Sequence, residues 1–210
     1  MTFQNQRKIK YFSGYLENLV FQNQKKDFLI KKDKSRKGSI DKKIRKLVDK
    51  INSLENYYTT SSCSGRILIL IMPKSGKKQD TKWLFSSHYE VKLSEIKKIL
   101  SKISTKEDIW FRAEPAIMHI AADTMENAVK LLNTARNIGF RRSGIIGVRK
   151  NKVSAELIST ERLETIIAKK GKIIADEDYL RHLIAEANIK LEKTRKKINK
   201  FYSSIKSSKL

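Results

Sequence analysis

A short, unbroken apolar run, Arg66-Ile67-Leu68-Ile69-Leu70-Ile71-Met72, is the clearest structural signal in the chain. Its alternating β-branched residues predict a strand that is buried on both faces. A second strand is predicted at residues 83–91, beyond a loop at residues 73–82 that has no periodicity. A helical pattern follows at residues 93–103, so this region predicts two strands and then a helix.

The same order of two strands and one helix recurs twice toward the C-terminus. The elements of these repeats are predicted at residues 109–112, 116–122, 125–138, 143–149, 152–159 and 176 to about 202. Gly139 is a natural residue for the end of the middle helix. Acidic residues from Asp176 to Asp178 lie at the start of the last helix, where negative charge is favoured.

Two further helices are predicted before the first strand. One covers residues 1 to about 24, and the other covers residues 40 to about 57 with Ser39 as its N-cap. Residues 1–20 are interpreted as an N-terminal helical extension. Residues 21–210 are interpreted as a single domain that ends in a long basic helix.

Repeated ββα units with flanking helices predict an α+β fold with a largely antiparallel sheet. Three strand pairs provide about six strands, which is enough for the sheet to curl into a barrel-like form. No Gly-x-Gly-x-x-Gly follows a predicted strand, and no glycine-rich phosphate loop with Lys-Ser/Thr is present. The fold is therefore predicted to be of a non-Rossmann type.

The charge balance of the chain predicts a polyanionic partner. The 46 Lys and Arg residues outnumber the 22 Asp and Glu residues, and the formal net charge is +24. Such an excess costs stability through self-repulsion, and a nucleic acid against the surface would relieve it. A lysine-rich solvated surface is the alternative, although such surfaces usually carry matching Glu. A membrane surface fits less well because the basic residues are spread along the whole chain.

The cellular compartment is predicted from what the sequence contains. One cysteine, Cys63, excludes an internal disulfide, and the polar start of the chain lacks the apolar run of a secretory signal. No apolar stretch approaches the roughly 18 residues needed to span a bilayer. A cytoplasmic location without membrane attachment is therefore expected.

Polar clusters adjoin several predicted strands and are candidates for a functional site. In Thr59-Thr60-Ser61-Ser62-Cys63-Ser64-Gly65-Arg66, hydroxyls and backbone N–H groups before a strand can form an anion-binding nest. Arg66 can offer two parallel hydrogen bonds to a phosphate or carboxylate. An ordinary polar turn accounts for the same composition equally well. Cys63 has no histidine nearby in the sequence and fits a small apolar residue better than a nucleophile.

An aromatic strand and two titratable residues are further candidates. Alternation places Trp83, Phe85 and Ser87 on one face of their predicted strand. Trp83 can stack on a base or an adenine, although a core position is commoner for a lone tryptophan. Glu114 and His119 are each candidate general bases, with a hydrogen-bonded core histidine as the alternative reading of His119.

Two more polar clusters adjoin the last predicted strand pair. Gly139-Phe140-Arg141-Arg142-Ser143-Gly144 combines a helix end with two arginines and suits phosphate contact. Ser159-Thr160-Glu161-Arg162-Leu163-Glu164 holds carboxylates that can accept hydrogen bonds from ribose hydroxyls or a cofactor amino group, or that simply line a solvated turn. No His/Cys spacing resembles a zinc site, so no metal is expected.

Six motifs in one order resemble the wybutosine-synthesising tRNA methyltransferase family, over about residues 21–202. They are Ser35-Arg36-Lys37-Gly38-Ser39-Ile40-Asp41, Thr59 through Ile67, Trp83-Leu84-Phe85-Ser86-Ser87-His88, Glu114-Pro115 through His119, Gly139 through Ile145, and Ser159-Thr160 through Glu164. Two departures stand out. Ile166 occupies a position where the family usually has proline, and residues 1–20 have no family counterpart.

The resemblance implies methyl transfer from S-adenosylmethionine to the N-4 ring nitrogen of a tricyclic guanine derivative in phenylalanine tRNA. That base lies in the single-stranded anticodon loop, from which it can be splayed without melting a duplex. The implied catalytic residues are His119 and Glu114. The implied cofactor-binding residues are Ser62, Cys63, Ser64, Arg66, Trp83, Ser87, His88, Ser159, Thr160 and Glu164. The implied RNA contacts are Lys37, Arg141, Arg142 and Ser143.

Two other classes of function fit the charge of the chain. One is a basic RNA-binding module without catalysis. The other is a metal-free ribonuclease that uses His88 and His119 as an acid–base pair. The sequence leaves open the oligomeric state, the wyosine intermediate that is the substrate, and which cluster faces cofactor or tRNA.

Overall fold

The computed structural model of the chain describes residues 3–30, 39–72 and 80–207. The helices within these residues are α1 (Phe3–Ile30), α2 (Lys42–Asn52), α3 (Leu93–Leu100), α4 (Met125–Ile138) and α5 (Glu177–Ser207). The strands are β1 (Tyr57–Cys63), β2 (Arg66–Ile71), β3 (Lys82–Ser87), β4 (Ile109–Glu114), β5 (Ile117–Ala122), β6 (Gly144–Arg149), β7 (Lys152–Ile158), β8 (Leu163–Lys169) and β9 (Lys172–Ile173). None of the helices in the described ranges combines the length and apolar character needed to cross a membrane.

The chain divides into two compact units, and each contains a sheet. Unit 1 comprises Met1–Ser62, Met118–Ile158 and Asn199–Leu210, and unit 2 comprises Cys63–Ile117 and Ser159–Ile198. The interpretation of residues 21–210 as one domain stays a prediction. Its proposed boundary at residue 20 falls inside α1, which continues without a break to Ile30.

The sheet of unit 1 has the strand order β1-β5-β7-β6. Alternate residues of β7 are buried, as expected for a strand with one face on a core. Tyr58 of β1 packs against Phe21 and Phe28 of α1, with ring centroids 5.4 and 5.5 Å apart. Because Phe21 and Tyr58 are almost fully buried, this part of α1 belongs to the core of unit 1.

The sheet of unit 2 is antiparallel throughout, with the order β3-β2-β4-β8-β9. Ile67, Ile69 and Ile71 of β2 are buried in one cluster with Ile96 of α3 and Leu183 of α5. Each buried aliphatic side chain of this size contributes about 1.5–3 kcal/mol relative to exposure. One face of the sheet is therefore held against α3 and α5.

Local patterns predicted several elements correctly. The helix expected at residues 125–138 is α4, and it ends at Gly139 with φ 114°. The first and last predicted strand pairs are the antiparallel pairs β2–β3 and β6–β7. Asn151 turns the second pair with φ 63°, a conformation that asparagine tolerates. The prediction of an α+β, non-Rossmann fold is confirmed.

The arrangement of the strands differs from the prediction. The expected curled, barrel-like sheet is not confirmed, because the described strands form two separate sheets. The middle predicted pair is wrong, since β4 lies between β2 and β8 while β5 lies between β1 and β7. Pro115 stands between β4 and β5. Proline has no N–H to extend a ladder, so β4 ends at Glu114 and the chain begins a strand of the other sheet.

The strands β1, β8 and β9 are absent from the predicted elements. The sequence predicts a helix end and a polar turn where β1 lies, but α2 ends at Asn52 and its N-cap is Asp41 rather than Ser39. The polar segment after residue 159 contains the start of β8. Ser and Thr weaken the local strand signal of β1, which is extended because it pairs with the distant strand β5. The strand β8 pairs both with the distant β4 and with the adjacent β9.

Candidate functional site

Arg66 is held at the start of β2 by Glu114 and lies against Trp83. The antiparallel register places Arg66 opposite Glu114 of β4, and Arg66 Nε donates to Glu114 Oε2 at 2.6 Å. The guanidinium carbon of Arg66 lies 4.3 Å from the centroid of the Trp83 ring, within cation–π range. Trp83 remains 39% exposed, so one side of the ring system is accessible.

A bulge in the β2–β3 pair changes the face on which Trp83 lies. Phe85 is opposite the core residue Ile69, but Trp83 is opposite Leu70, because the register shifts by one residue between these positions. The prediction that Trp83 and Phe85 share a face is therefore wrong. An extra residue in one strand reverses the alternation beyond it, and it moves Trp83 to the face that carries Arg66.

A row of alternating charges continues across this face of the unit 2 sheet. Arg112 of β4 lies 3.7 Å from Glu114 and forms a short ion pair with Glu164 of β8. Arg162 also donates to Glu164, at 2.6 Å. The Arg112, Glu114 and Glu164 side chains are each less than a third exposed, which strengthens their mutual attraction relative to surface pairs. Arg112 and Arg162 were absent from the predicted site.

The pKa of Glu164 reflects this row of charges. Burial by itself raises the pKa of the carboxyl group, because it penalises the ionised form. Hydrogen bonds from Arg162 and Arg112 and their positive charges outweigh that effect and hold the pKa below its ordinary value. Glu164 is therefore an ionised hydrogen-bond acceptor at neutral pH.

Gly65 lies in the turn that leads into β2, and His88 hydrogen-bonds to its carbonyl. Gly65 has φ +86°, and a Cβ atom there would lie 3.0 Å from the Glu114 carbonyl oxygen. The Gly65 carbonyl accepts a 2.8 Å hydrogen bond from His88 Nδ1. Because a carbonyl can only accept, Nδ1 carries the proton, and Nε2 is the basic nitrogen of the neutral ring. Arg195 of α5 donates to the His88 carbonyl at 3.0 Å.

A buried carboxylate follows β7 in the sequence, at the Ser159–Glu161 corner. Lys197 of α5 donates to Thr160 Oγ1 at 2.9 Å and forms a short ion pair with Glu161. Burial raises the pKa of Glu161, but its polar contacts, chiefly the hydrogen bond from Lys197, lower it overall. Among the described residues, Ser159 Oγ and Glu161 Oε2 are buried and lack a partner with normal hydrogen-bond geometry. Such orphaned atoms are often completed by a ligand or water.

The remaining predicted residues of unit 2 lie near these groups in the sequence. Ser64 is buried, and Cys63 is the half-buried last residue of β1. Ser87 Oγ donates to the Tyr89 carbonyl and accepts from the Tyr89 N–H, so its hydroxyl closes a turn. Unit 2 thus brings Arg66, Trp83, Glu114 and Glu164 into one network.

His119 lies in unit 1, where side chains from both neighbouring strands contact its ring. Nδ1 is 2.7 Å from Ser61 Oγ on β1, and Nε2 is 2.8 Å from Glu156 Oε2 on β7. His119 and Glu156 are each about a third exposed. An ionised Glu156 can only accept, so it fixes the proton on Nε2 and leaves Nδ1 as the basic nitrogen, facing Ser61.

Ser61 and Glu156 were missed as site residues by the sequence analysis. Ser61 belongs to the quoted Thr-Thr-Ser-Ser motif, but its neighbour Ser62 was chosen. Glu156 lies between Ala155 and Leu157 in β7, a strand along which buried and partly exposed residues alternate. An acidic residue on the partly exposed face of this strand was the signal that could have identified it as a site residue. Their pairing with His119 depends on the strand order β1-β5-β7, which joins residues far apart in the sequence.

The predicted RNA contacts lie at the turn before β6. Arg141 and Arg142 are exposed. Ser143 is buried, and its hydroxyl donates to the Phe140 carbonyl at 2.5 Å and accepts from the Ile158 N–H at 3.0 Å. Ser62, which was predicted to bind the cofactor, is a half-buried residue of β1 in unit 1. Lys37 lies outside the described residues.

Comparison with known proteins identifies the family. The family described as Methyltransferase TYW3 matches residues 15–207 of the chain. The chain belongs to this family. A Pyrococcus furiosus relative, tRNA(Phe) 7-((3-amino-3-carboxypropyl)-4-demethylwyosine(37)-N(4))-methyltransferase 1, is 39% identical over 186 residues, which are 88% of this chain and 94% of that protein. The Xenopus laevis tRNA wybutosine-synthesizing protein 3 homolog is 34% identical, over 89% of this chain and 74% of that protein.

Two solved structures are similar to the chain in fold and in sequence. The PH1069 protein of Pyrococcus horikoshii is 38% identical and has a TM-score of 0.81, covering 90% of this chain and 97% of that protein. A hypothetical protein of Aeropyrum pernix is 26% identical with a TM-score of 0.69, covering 79% of this chain and 96% of that protein. The family assignment agrees with the resemblance found in the sequence, but the prediction that residues 1–20 have no counterpart is wrong for residues 15–20, where the family match begins. The names of the relatives do not favour a non-catalytic RNA-binding module or a ribonuclease.

Proposed function

We propose that this TYW3-family chain methylates the N-4 ring nitrogen of a 7-(3-amino-3-carboxypropyl)-4-demethylwyosine base in phenylalanine tRNA. The observation that carries the proposal is the 39% identity to the Pyrococcus furiosus enzyme of that name over 94% of its length. The net charge of +24 supports an RNA substrate, since neutralising phosphates releases counterions.

S-adenosylmethionine is the proposed methyl donor, and the side chains of unit 2 fit its chemical groups. Arg66 offers a cation for the carboxylate, and the accessible Trp83 ring offers a stacking surface for the adenine. Carboxylates suited to an ammonium or ribose hydroxyls are present at Glu161 and Glu164, and the pKa of each lies below its ordinary value. When bound, the donor supplies a methyl group on a positively charged sulfur, which keeps the bonding electron pair after transfer.

Glu114 is proposed to act by positioning Arg66 rather than as a proton acceptor. Its Oε2 accepts from Arg66 Nε at 2.6 Å, and its Oε1 lies 3.7 Å from Arg112. A carboxylate held by two arginines is an effective anchor, because charge-assisted hydrogen bonds are strong and directional. Its contact with Arg66 in turn holds that guanidinium beneath Trp83.

His119 is the proposed acceptor of the proton that the target nitrogen releases when the new C–N bond forms. Glu156 keeps the Nε2 proton in place, so Nδ1 is available for the proton, directly or through the Ser61 hydroxyl. Glu156 and Ser61 are then positioning residues, since they act through His119. The arrangement resembles the general pattern in which a carboxylate orients a catalytic imidazole.

The proposal is tested by mixing the purified chain with radiolabelled S-adenosylmethionine and tRNA(Phe) that carries the demethylated base. We expect one methyl group per tRNA, located by mass spectrometry on the tricyclic base. His119→Ala should lower kcat about 100-fold or more, and Glu156→Gln about tenfold, with KM for tRNA unchanged. Asp49→Asn, an exposed change on α2, is the matched control and should behave as wild type.

Each outcome separates one part of the proposal from another. Absence of methyl transfer by the wild-type chain would refute the reaction. Normal turnover by His119→Ala would refute the proton-acceptor role but leave the reaction standing. Calorimetric titration with S-adenosylmethionine alone tests the donor, because an RNA-binding module without catalysis would give no heat of binding.

A further inference from the structure

The β6–β7 hairpin of unit 1 continues the face of the sheet that carries His119. Glu156 of β7 hydrogen-bonds to His119, so both side chains lie on this face. Residues directly opposite in an antiparallel pair share a face. Gly144 is opposite Glu156, Gly147 is opposite Ser154, and Arg149 is opposite Lys152. With increasing distance from His119, this face of the hairpin therefore carries first Gly144, then Gly147 beside Ser154, and then the two cations Arg149 and Lys152.

The two glycines of β6 are not explained by the fold. A Cβ atom added at Gly144 or Gly147 would meet nothing within 4 Å, and neither residue has a positive φ. Glycine in a strand costs stability and often marks a place where a ligand approaches the backbone closely. The strand β6 is also an edge strand of its sheet. On the face that carries Glu156, the two glycines leave a smooth surface that none of the described residues covers.

The charges at the end of the hairpin also lack compensation. Arg149 and Lys152 are directly opposite each other, and Lys150 lies in the turn between them. Like charges in such cross-strand pairs are destabilising. Residues 141–155 contain five basic residues and no Asp or Glu. Within the described part of the chain, none of these five forms an ion pair.

We propose that this face of the hairpin, defined by Gly144, Gly147, Ser154, Arg149 and Lys152 and named here the hairpin track, binds the sugar–phosphate backbone of single-stranded RNA. The small residues allow the backbone to lie close to the strands, and the two cations bind its phosphates. Polyanion binding offsets the repulsion between Arg149 and Lys152. A flat surface of small residues with cations at one end fits a ribose–phosphate chain better than an apolar protein partner.

The length of the hairpin track suits nucleotides beside the modified base. Lys152 precedes Glu156 by four residues, which corresponds to about 13 Å along an extended strand. The cations therefore hold phosphates at a distance from His119 rather than the phosphate of the target nucleotide. This assignment rests on the proposed function, because it takes the anticodon loop as the RNA that reaches His119.

Binding of unmodified tRNA(Phe), measured without methyl donor at several salt concentrations, tests the hairpin track. Arg149→Ala/Lys152→Ala should weaken binding about tenfold and reduce the slope of log K against log salt by about 1.5–2. Lys98→Ala/Lys102→Ala, an exposed pair in unit 2, removes the same charge and should change binding less than twofold. Gly147→Val should weaken binding at least tenfold without lowering the melting temperature, because it fills open space.

The outcomes distinguish the hairpin track from general electrostatic attraction. Equal losses in the two double variants would overturn the proposal, because only net charge would then matter. Unchanged binding by Gly147→Val would overturn it as well. If the hairpin variants bind as wild type while the wild-type chain methylates tRNA, the track is wrong and the function stands. If the wild-type chain binds tRNA through the hairpin but transfers no methyl group, the proposed reaction is wrong and the track stands.

Discussion

At the scale of single residues, most side chains of the candidate site are held by charged partners on neighbouring strands. Arg66, Glu114 and Arg112 form one connected group in unit 2, while Glu156 and Ser61 hold both nitrogens of His119 in unit 1. Charge-assisted contacts fix orientation as well as contributing free energy. A side chain in such a group cannot be changed without altering the geometry of its partners.

Glu164 provides a pH-dependent test of the charge row in unit 2. Its folded-state pKa lies below the ordinary value of 4.5, so ionisation favours the folded state. The resulting stabilisation is present above that ordinary pKa and is lost as pH falls through the lower folded-state pKa. We expect Glu164→Gln to lower the free energy of unfolding by about 2 kcal/mol at pH 7 and by much less at pH 3.

Thermal and urea unfolding at the two pH values measure this difference. Glu192→Gln is the control, because Glu192 forms an exposed pair with Lys196 one helical turn away on α5, and such pairs contribute little. A destabilisation by Glu164→Gln that is the same at pH 3 and pH 7 would contradict the assigned role of the ionised carboxylate.

At the scale of elements, local periodicity predicted several elements but missed the pair β8–β9, whose strands are also neighbours in sequence. The helix α4 and the pairs β2–β3 and β6–β7 were predicted correctly because their patterns and turns lie within one short segment. The strand β1 was not predicted, since it is polar and its partner β5 is distant in the chain. The strand β8 begins in a polar segment, and one of its two partners, β4, is distant in the chain. Ser61, Glu156 and Arg112 were missed because the residues that they contact lie on strands that are distant in the chain.

The connection between β1 and β2 depends on Gly65. Its φ of +86° strains any residue with a Cβ, and that Cβ would also lie 3.0 Å from the Glu114 carbonyl and 3.3 Å from Thr194 Cγ2. We expect Gly65→Ala to destabilise the fold by about 1–3 kcal/mol and to displace Arg66 from Glu114. Gly147→Ala is the matched control, because its new methyl group meets nothing.

Thermal unfolding of both alanine variants measures the effect, with each kcal/mol corresponding to about 2–4 °C in a chain of this size. Displacement of Arg66 is measured by the fluorescence of Trp83 during titration with cofactor. We expect the change in this fluorescence to be lost in Gly65→Ala. Equal melting temperatures for the two variants would show that the turn tolerates a side chain.

At the scale of the whole molecule, the net charge of +24 sets the response to salt. Self-repulsion among 46 basic residues opposes the compact state, and added salt screens it. We expect the melting temperature to rise as sodium chloride increases from 50 to 500 mM, while tRNA affinity falls over the same range. A melting temperature that falls with salt would indicate that attractive ion pairs such as Arg66–Glu114 dominate.

The sequence by itself determined the fold class, the positions of the strongly periodic elements, the net charge of +24 and, through its ordered motifs, the family. These follow from composition and from patterns within short segments. Only the tertiary structure decided that the strands form two sheets, that a bulge turns Trp83 toward Arg66, and that Ser61 and Glu156 flank His119. Strand pairing joins residues tens of positions apart, and the hydrogen bonds and burial that select one pairing exist only once the chain is folded.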